Sequence, residues 1–414
     1  MLMRIAISSL WNRRMAAGLS LFTIAISVAL LLGVERIRAQ TRSSFGSTIS
    51  GTDLIIGART GSVPLLLYSV FRIGDASNNI SYRFYQDLSA QPQIAWSIPI
   101  SLGDAHRGFR VLGTTNAYFE HFRYGDKLPL AFVAGVKLNG NYDAVIGAEV
   151  AKSLNYQLGD AITVAHGTGR HDIATHNEQP FHVVGVLRRT GTPVDRTIHV
   201  GLTGIDAIHA NFQSGGRASL PAGTAGEGAM PSTLTAIFVG LKNRAAALGL
   251  ARQINEYPGE PLSAILPGLA LAQLWGIVGI AESALLLIAI CVVVAGLLGM
   301  ITGLVTTLSE RRREMAILRS VGAQPWQVGA LLVFESSLLT LLGALLGLLL
   351  LSVVFASLAP WLANAYGLYL KAFALSPSEF PLLFGVLASG VLAGLMPALL
   401  AYRRTLADGL TIRT

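Results

Sequence analysis

The sequence predicts an α-helical membrane protein with four transmembrane helices, split one plus three, and a large extracytoplasmic α+β domain between helices 1 and 2. Three observations predict it. The 414 residues are 52% hydrophobic and only 13% charged, a membrane composition that leaves room for one sizeable soluble region. Four stretches, 15–34, 283–309, 329–358 and 380–402, are long and apolar enough to cross a bilayer as helices, which satisfy their own backbone hydrogen bonds. Between the first two, residues 36–275 carry short β-type runs separated by Gly- and Asn-rich turns.

Charge orients these pieces. Segments 1–14, 307–328 and 403–414 hold ten Lys/Arg against three acids, whereas 36–275 hold twenty against sixteen. The positive-inside bias therefore puts both termini and 307–328 in the cytoplasm, with 36–275 and the 359–379 loop outside. The net charge of +8 is thus a topology signal, and nucleic acid is not an expected partner. The single cysteine, Cys291, lies in a span, so the outer domain must fold on its apolar core without disulfides.

In chain order, 1–14 place Arg4, Arg13 and Arg14 among Leu2, Ile5, Leu10 and Trp11, the pattern of a short interfacial helix. Residues 15–34 form the first span; the segment Glu35-Arg-Ile-Arg38 is a poor cleavage site, so the span is expected to stay. The first domain is accordingly 1–35. In the outer domain, 36–275, strands are expected at 53–56, 94–100, 109–112, 144–146, 161–165, 181–187, 197–200 and 234–239. Helices are expected at 82–90, 148–154 and 245–257. Residues 213–232, rich in Gly, Ala, Ser and Pro, read as a flexible excursion. Pro258-Gly-Glu-Pro261 breaks the chain before a helical approach to the second span, which opens the third domain, 276–414.

Between the second and third spans, 308–323 read as a short cytoplasmic helix. Met315 and Leu318, then Ile317 and Val321, recur at three- and four-residue spacing, Glu310 can pair with Arg313, Gly322 is a C-cap and Pro325 a stop. The run Glu310-Arg-Arg-Arg-Glu-Met-Ala-Ile-Leu-Arg-Ser-Val-Gly-Ala323 resembles the signature of MacB/FtsX-like ABC transporter permeases. Val111-Leu-Gly-Thr114, Asp143-Ala-Val-Ile-Gly147, Leu158-Gly-Asp160 and Phe181-His-Val-Val-Gly-Val-Leu187 resemble, in order and spacing, the periplasmic core of MacB-like permeases. Met396-Pro-Ala-Leu-Leu-Ala-Tyr-Arg-Arg404 is similar to the family's closing pattern.

The resemblance implies a permease subunit whose 308–323 segment docks on a separate cytoplasmic ATPase through Glu310, Arg311, Arg312, Arg313, Glu314, Arg319 and Gly322. ATP and Mg would then sit on that partner, with no cofactor bound by this chain. It implies a bacterial inner-membrane location, pairing with a second permease copy, homodimeric or with a similar permease, and a periplasmic adaptor or substrate protein. The family's work is mechanotransmission: closure of the ATPases is relayed to the outer domain. In agreement, no Gly-x-x-x-x-Gly-Lys-Ser/Thr, His-Glu-x-x-His, Gly-x-Ser-x-Gly or Gly-x-Gly-x-x-Gly occurs, and the chain itself is expected to be non-catalytic.

Three small-x-x-x-small pairs, Gly299/Gly303, Gly343/Gly347 and Gly390/Gly394, permit close helix approach within the bilayer. Glu335, about two turns into the third span, is costly in lipid and is expected to serve helix contact. All eight histidines fall between 106 and 209. Four of them, His166, His171, His176 and His182, lie near Asp172 and Glu178, and imidazole with carboxylate suits zinc. Spacings of 5, 5 and 6 fit neither a helix face nor a strand face, so only a loop could gather them. The alternative function is therefore a membrane-anchored extracytoplasmic metal-binding protein or metalloenzyme; solvated histidines in a polar loop are the plainer account of the same residues.

Overall fold

The computed structural model describes residues 14–166, 180–205, 232–310, 324–366, 373 and 375–407. Four of its helices are long and apolar enough to cross a membrane: α1 (Arg14–Thr48), α7 (Pro267–Glu310), α8 (Pro325–Tyr366) and α9 (Glu379–Ala407). Their apolar cores cover the four expected spans. The helices are longer than the uncharged runs, because a helix does not stop where the first charge appears; α1 continues past Glu35, Arg36 and Arg38. The expected interfacial helix 1–14 lies almost wholly outside the described residues, as does most of the excursion 213–232.

The chain divides into two compact units. The helical unit takes α1 to Thr41, α7 from Gly279, α8 to Ala363 and α9. Its core is shared by all four helices: Ile24, Val28 and Leu32 of α1, Met300 and Leu304 of α7, Leu339 and Leu351 of α8, and Val386 and Ala393 of α9. The second unit spans Arg42–Val278. The divisions expected after residues 35 and 275 therefore both fall inside helices.

The second unit is α/β. Its main sheet has eleven strands, nine of them in the order β15-β1-β14-β3-β4-β12-β8-β11-β7. These strands are β1 (Leu54–Ala58), β3 (Ile94–His106), β4 (Phe109–Thr114), β7 (Phe132–Gly135), β8 (Asp143–Ile146), β11 (Phe181–Leu187), β12 (Thr197–Gly201), β14 (Ala236–Leu241) and β15 (Leu262–Ile265). Pairs β4·β12 and β8·β11 are parallel and the other pairings of this path antiparallel.

Strand β3 joins the two halves of the sheet. Its first part, Ile94 to Ile100, pairs with β14, and its second, Ser101 to His106, with β4. The strand expected over 94–100 runs on to His106. Gly103, at φ 152°, lies where the β3–β4 register shifts between Leu102 and Ala105, and the strand continues.

Period-2 alternation places Leu54 and Ile56 in one core with α3 (Tyr82–Ser89) and α6 (Ala247–Asn255), while Ile55 enters the opposite core with Ile98, Leu112 and Phe238. A third core, Val111, Ile146, Val150, Phe181, Ile198 and Val200, is completed by α5 (Ala148–Leu154).

Two expected strands divide. Thr235 separates β13 (Thr233–Leu234), paired to β2 (Ile80–Ser81), from β14, because its buried hydroxyl accepts from Leu102 N–H at 2.9 Å. Likewise 161–165 resolve into β9 (Ala161–Ile162), on β11, and β10 (Ala165–His166), on β3. The helix expected over 245–257 begins as a 3-10 turn, Arg244–Ala246, capped by Asn243. Pro258-Gly-Glu-Pro261 leads into strand β15, not straight into helix, and Pro267 then opens α7. The short helices α2 (Ser62–Leu66) and α4 (Ala117–His121) were not expected; each is a single turn, too short to show a period.

Candidate functional site

The helical unit concentrates its polar residues where helices meet. Near one end of α1, Arg36 reaches the carboxylate of Glu379, the first residue of α9, through two parallel hydrogen bonds. Its guanidinium also lies 5.7 Å from the ring centroid of Phe355 on α8. The helix N-terminus favours the Glu379 charge, and the planar fork of arginine matches a carboxylate. Two residues on, Arg38 Nε donates to Glu282 on α7 at 2.9 Å, and its Nη1 donates to Glu35 at 3.3 Å. About one turn of α1, residues 35–38, thus meets the other three helices, α7 and α9 through ion pairs and α8 through the Phe355 ring.

Glycines set the other contacts. A Cβ on Gly343 would stand 2.6 Å from Ile24 Cγ2, and one on Gly347 would stand 2.5 Å from the Ala25 carbonyl oxygen, so α8 lies tight on α1. On α9, a Cβ at Gly390 would collide with Thr340 and one at Gly394 with Ser336, both on α8. The third pair behaves differently: a Cβ on Gly299 meets nothing within 4 Å, while one on Gly303 meets Ser20 Oγ at 3.5 Å. The glycine that shares this face is Gly296, whose Cβ would stand 2.9 Å from Ser27 Oγ. Towards α1 the glycine spacing is seven, from Gly296 to Gly303, which keeps one face of α7 on that helix. Ser27 Oγ also donates to the Val292 carbonyl of α7 at 3.2 Å.

Glu335 is buried at 3% exposure on α8, next to fully buried Ser336 and one turn before fully buried Thr340. Those two hydroxyls donate to α8's own carbonyls, at Val333 and Ser336.

The remaining expected site residues lie largely outside this assembly. Glu310 ends α7, its side chain not among those described, and Arg311, Arg312, Arg313, Glu314, Arg319 and Gly322 lie outside the described residues. Of the four loop histidines, His171 and His176 lie outside them, His166 closes β10, and His182 is exposed on β11. Strands β10 and β11 pair with different neighbours, β3 and β8 respectively. Among the described residues, no group of three or more His, Cys, Asp or Glu could hold a metal ion.

Sequence reasoning missed Arg36, Arg38, Glu282 and Glu379. The available signal was charge at the edges of apolar runs, since ionisable groups there demand partners.

Two family models match the chain: the MacB-like periplasmic core domain over residues 17–257 and the FtsX-like permease C-terminal domain over residues 285–407. An uncharacterized ABC transporter permease of Methanocaldococcus jannaschii is 26% identical over 268 residues, covering 63% of this chain and 60% of that relative. The match thus spans less than two thirds of the relative's length. Among solved structures, the periplasmic region of MacB from Actinobacillus actinomycetemcomitans is similar with a TM-score of 0.35 and 16% identity, over 55% of this chain and 94% of that one. The extracellular domain of the noncanonic ABC-type transporter YknZ from Gram-positive bacteria is similar with a TM-score of 0.30 and 13% identity, over 52% and 99%. Two family models laid end to end over four membrane-length helices and the intervening α/β domain lead to one conclusion: this is a multi-pass membrane protein that belongs to the MacB/FtsX-like family of ABC transporter permeases.

Proposed function

We propose that the chain is a non-catalytic permease subunit that converts ATP hydrolysis on a separate ATPase subunit into movement of its outer α/β domain. An ABC transporter permease family implies an ATPase partner. The docking element is the basic segment 308–323, reached by α7 on one side and α8 on the other. Both termini and this segment face the cytoplasm of the inner membrane, the outer domain faces away, and a second permease copy completes the dimer. The work done is export or handling of an envelope substrate by mechanotransmission.

The observation that carries this reading is the length of α7. It is one helix of 44 residues, about 66 Å at 1.5 Å per residue, whereas about 20 residues suffice to span hydrocarbon. A continuous helix of that length can carry displacement further than a bilayer is thick.

Reversing charge at Arg311, Arg312 and Arg313 tests the coupling. The triple variant should insert normally yet fail to associate with the ATPase or to stimulate its hydrolysis. Unchanged stimulated hydrolysis would sink the proposal.

A further inference from the structure

A pocket of about 120 Å³ opens in the α/β unit, lined by residues that include Tyr68, Arg72, Asn79, Gly103 and Arg110. Arg72 ends the π turn Leu67–Phe71 in the left-handed region, at φ 61°, with its N–H donating to the Leu67 carbonyl. That conformation is uncommon for a side chain as long as arginine's, and it fixes where the guanidinium emerges.

Among the described residues, no carboxylate neutralises Arg72. Its Nε and Nη1 are sealed from solvent and close no well-formed hydrogen bond; the Tyr118 hydroxyl is a polar neighbour of the guanidinium, and His199 Nε2 is likewise sealed. His199 holds its Nδ1 3.1 Å from the Val145 carbonyl, so Nδ1 donates and Nε2 is left as an acceptor. Burial pushes the Tyr118 hydroxyl up to about 12 and the His199 imidazole down to about 3, so both are neutral at pH 7. The other guanidinium, Arg110, is already engaged: Nη1 donates to Asp75 at 2.8 Å and Nη2 to the Gly74 carbonyl at 3.2 Å. The pocket is therefore lined by two cations and one carboxylate, and the half-buried Arg72 is the unmatched cation. Burial disfavours the Arg72 charge, with only Tyr118 opposing that effect. A buried charge without a counter-charge is among the costliest features a fold carries.

We propose that this pocket binds an oxyanion, the phosphate or carboxylate head of a small ligand, with Arg72 as its principal donor and Arg110 and the Asn79 amide at its rim. Of the guanidinium nitrogens only Nη2 is not sealed, so its N–H meets a ligand oxygen first, and the delocalised charge of the whole group favours an anion there. The volume is somewhat below the roughly 150 Å³ cavity that holds a benzene-sized molecule, so the pocket admits a head group with few attached atoms. The site lies wholly within the α/β unit and is independent of how the membrane helices are driven.

The test uses the full chain in phosphatidylcholine nanodiscs, titrated calorimetrically with inorganic phosphate, acetate or glycerol phosphate against sodium chloride of equal ionic strength. Wild type should bind phosphate or acetate saturably. Arg72→Met should weaken that binding at least about tenfold, while melting no lower than wild type in chloride, because the unmatched cation is gone. Saturation by the free ions assigns a soluble anion; saturation by glycerol phosphate alone assigns a lipid-type head group; either supports the site when it depends on Arg72. Should Arg72→Met not fold, Arg72→Lys keeps the charge, loses the guanidinium and should still weaken binding several-fold. Equal binding by wild type and the Arg72 variant, or no saturable binding up to millimolar probe, overturns the proposal and leaves Arg72 to water.

Discussion

Arg36 and Glu379, 343 residues apart in the chain, meet at 2.9 and 2.8 Å with side-chain exposures of 1% and 0%. Such a pair is weak evidence for stability as a whole but strongly resists losing one member, since desolvation has been incurred for both charges. Glu379→Gln removes the carboxylate that faces the buried Arg36 guanidinium. It should cost about 3–5 kcal/mol, read from thermal or denaturant unfolding of the purified protein. The double variant Arg36→Met with Glu379→Leu should recover most of that loss. A double variant as unstable as the single one would show that the pair contributes something apolar packing cannot replace.

The proposed topology makes a labelling prediction. Cys291 is the one natural cysteine and is exposed in the helical unit, so a Cys291→Ala background is needed. In it, Ser214→Cys, outside the described residues, should react with an impermeant reagent on intact cells. Gln324→Cys, just before α8, should react only after permeabilisation. The reverse pattern would overturn the orientation and the proposed function with it.

His199 gives the α/β unit a pH dependence. Burial, with Arg72 second, lowers its pKa to about 3, against about 6.5 in an unfolded chain. Between these values the unfolded state binds the extra proton, so stability is fully present above about pH 6.5 and falls as pH drops towards 3. From pH 7 to 5 the loss attributable to this residue is about 2 kcal/mol. Asp195, its pKa raised by burial, works in the opposite direction. His199→Gln should flatten the wild-type slope between pH 7 and 5 in thermal melts; parallel slopes would mean the imidazole is charged or unimportant in the fold.

The parts of the molecule legible in the sequence are those set by one-dimensional pattern. An uncharged run of span length is such a pattern, and so is the period-2 alternation of residues 181–187, where the observed β11 has the same bounds. Arg36 and Glu379 were not legible as a pair, because each alone looks like an ordinary charge flanking a span and only the folded bundle brings them together. Strand β3 extends past its expected end at residue 100 for a related reason: the register shift around Gly103, where it pairs with β4, is a property of the paired sheet and not of the local sequence. Arg72 had no signal at all, since its left-handed conformation and its neighbours Tyr118 and His199 come from distant strands and turns.

Glycine contacts yield the last prediction. Gly394 lies where any side chain would strike Ser336, and its Cβ would stand 3.0 Å from the Val333 Cα, a backbone atom that cannot swing away. Gly394→Leu should therefore force α9 off α8 and cost about 1–3 kcal/mol or more, the usual range for overpacking. Gly299, on α7, is the internal control: a Cβ there meets nothing within 4 Å. Gly299→Ala should be neutral or mildly stabilising, since alanine is better than glycine in a helix interior by about 1 kcal/mol. Ser336→Ala combined with Gly394→Ala should recover part of the loss of Gly394→Ala alone, because the collision with Ser336 Oγ is removed while the contacts with Ser336 Cβ and Val333 Cα remain. Thermal unfolding of the four variants in one detergent decides it. Equal losses at Gly299 and Gly394 would mean that glycine content, and not the α8–α9 contact, governs stability.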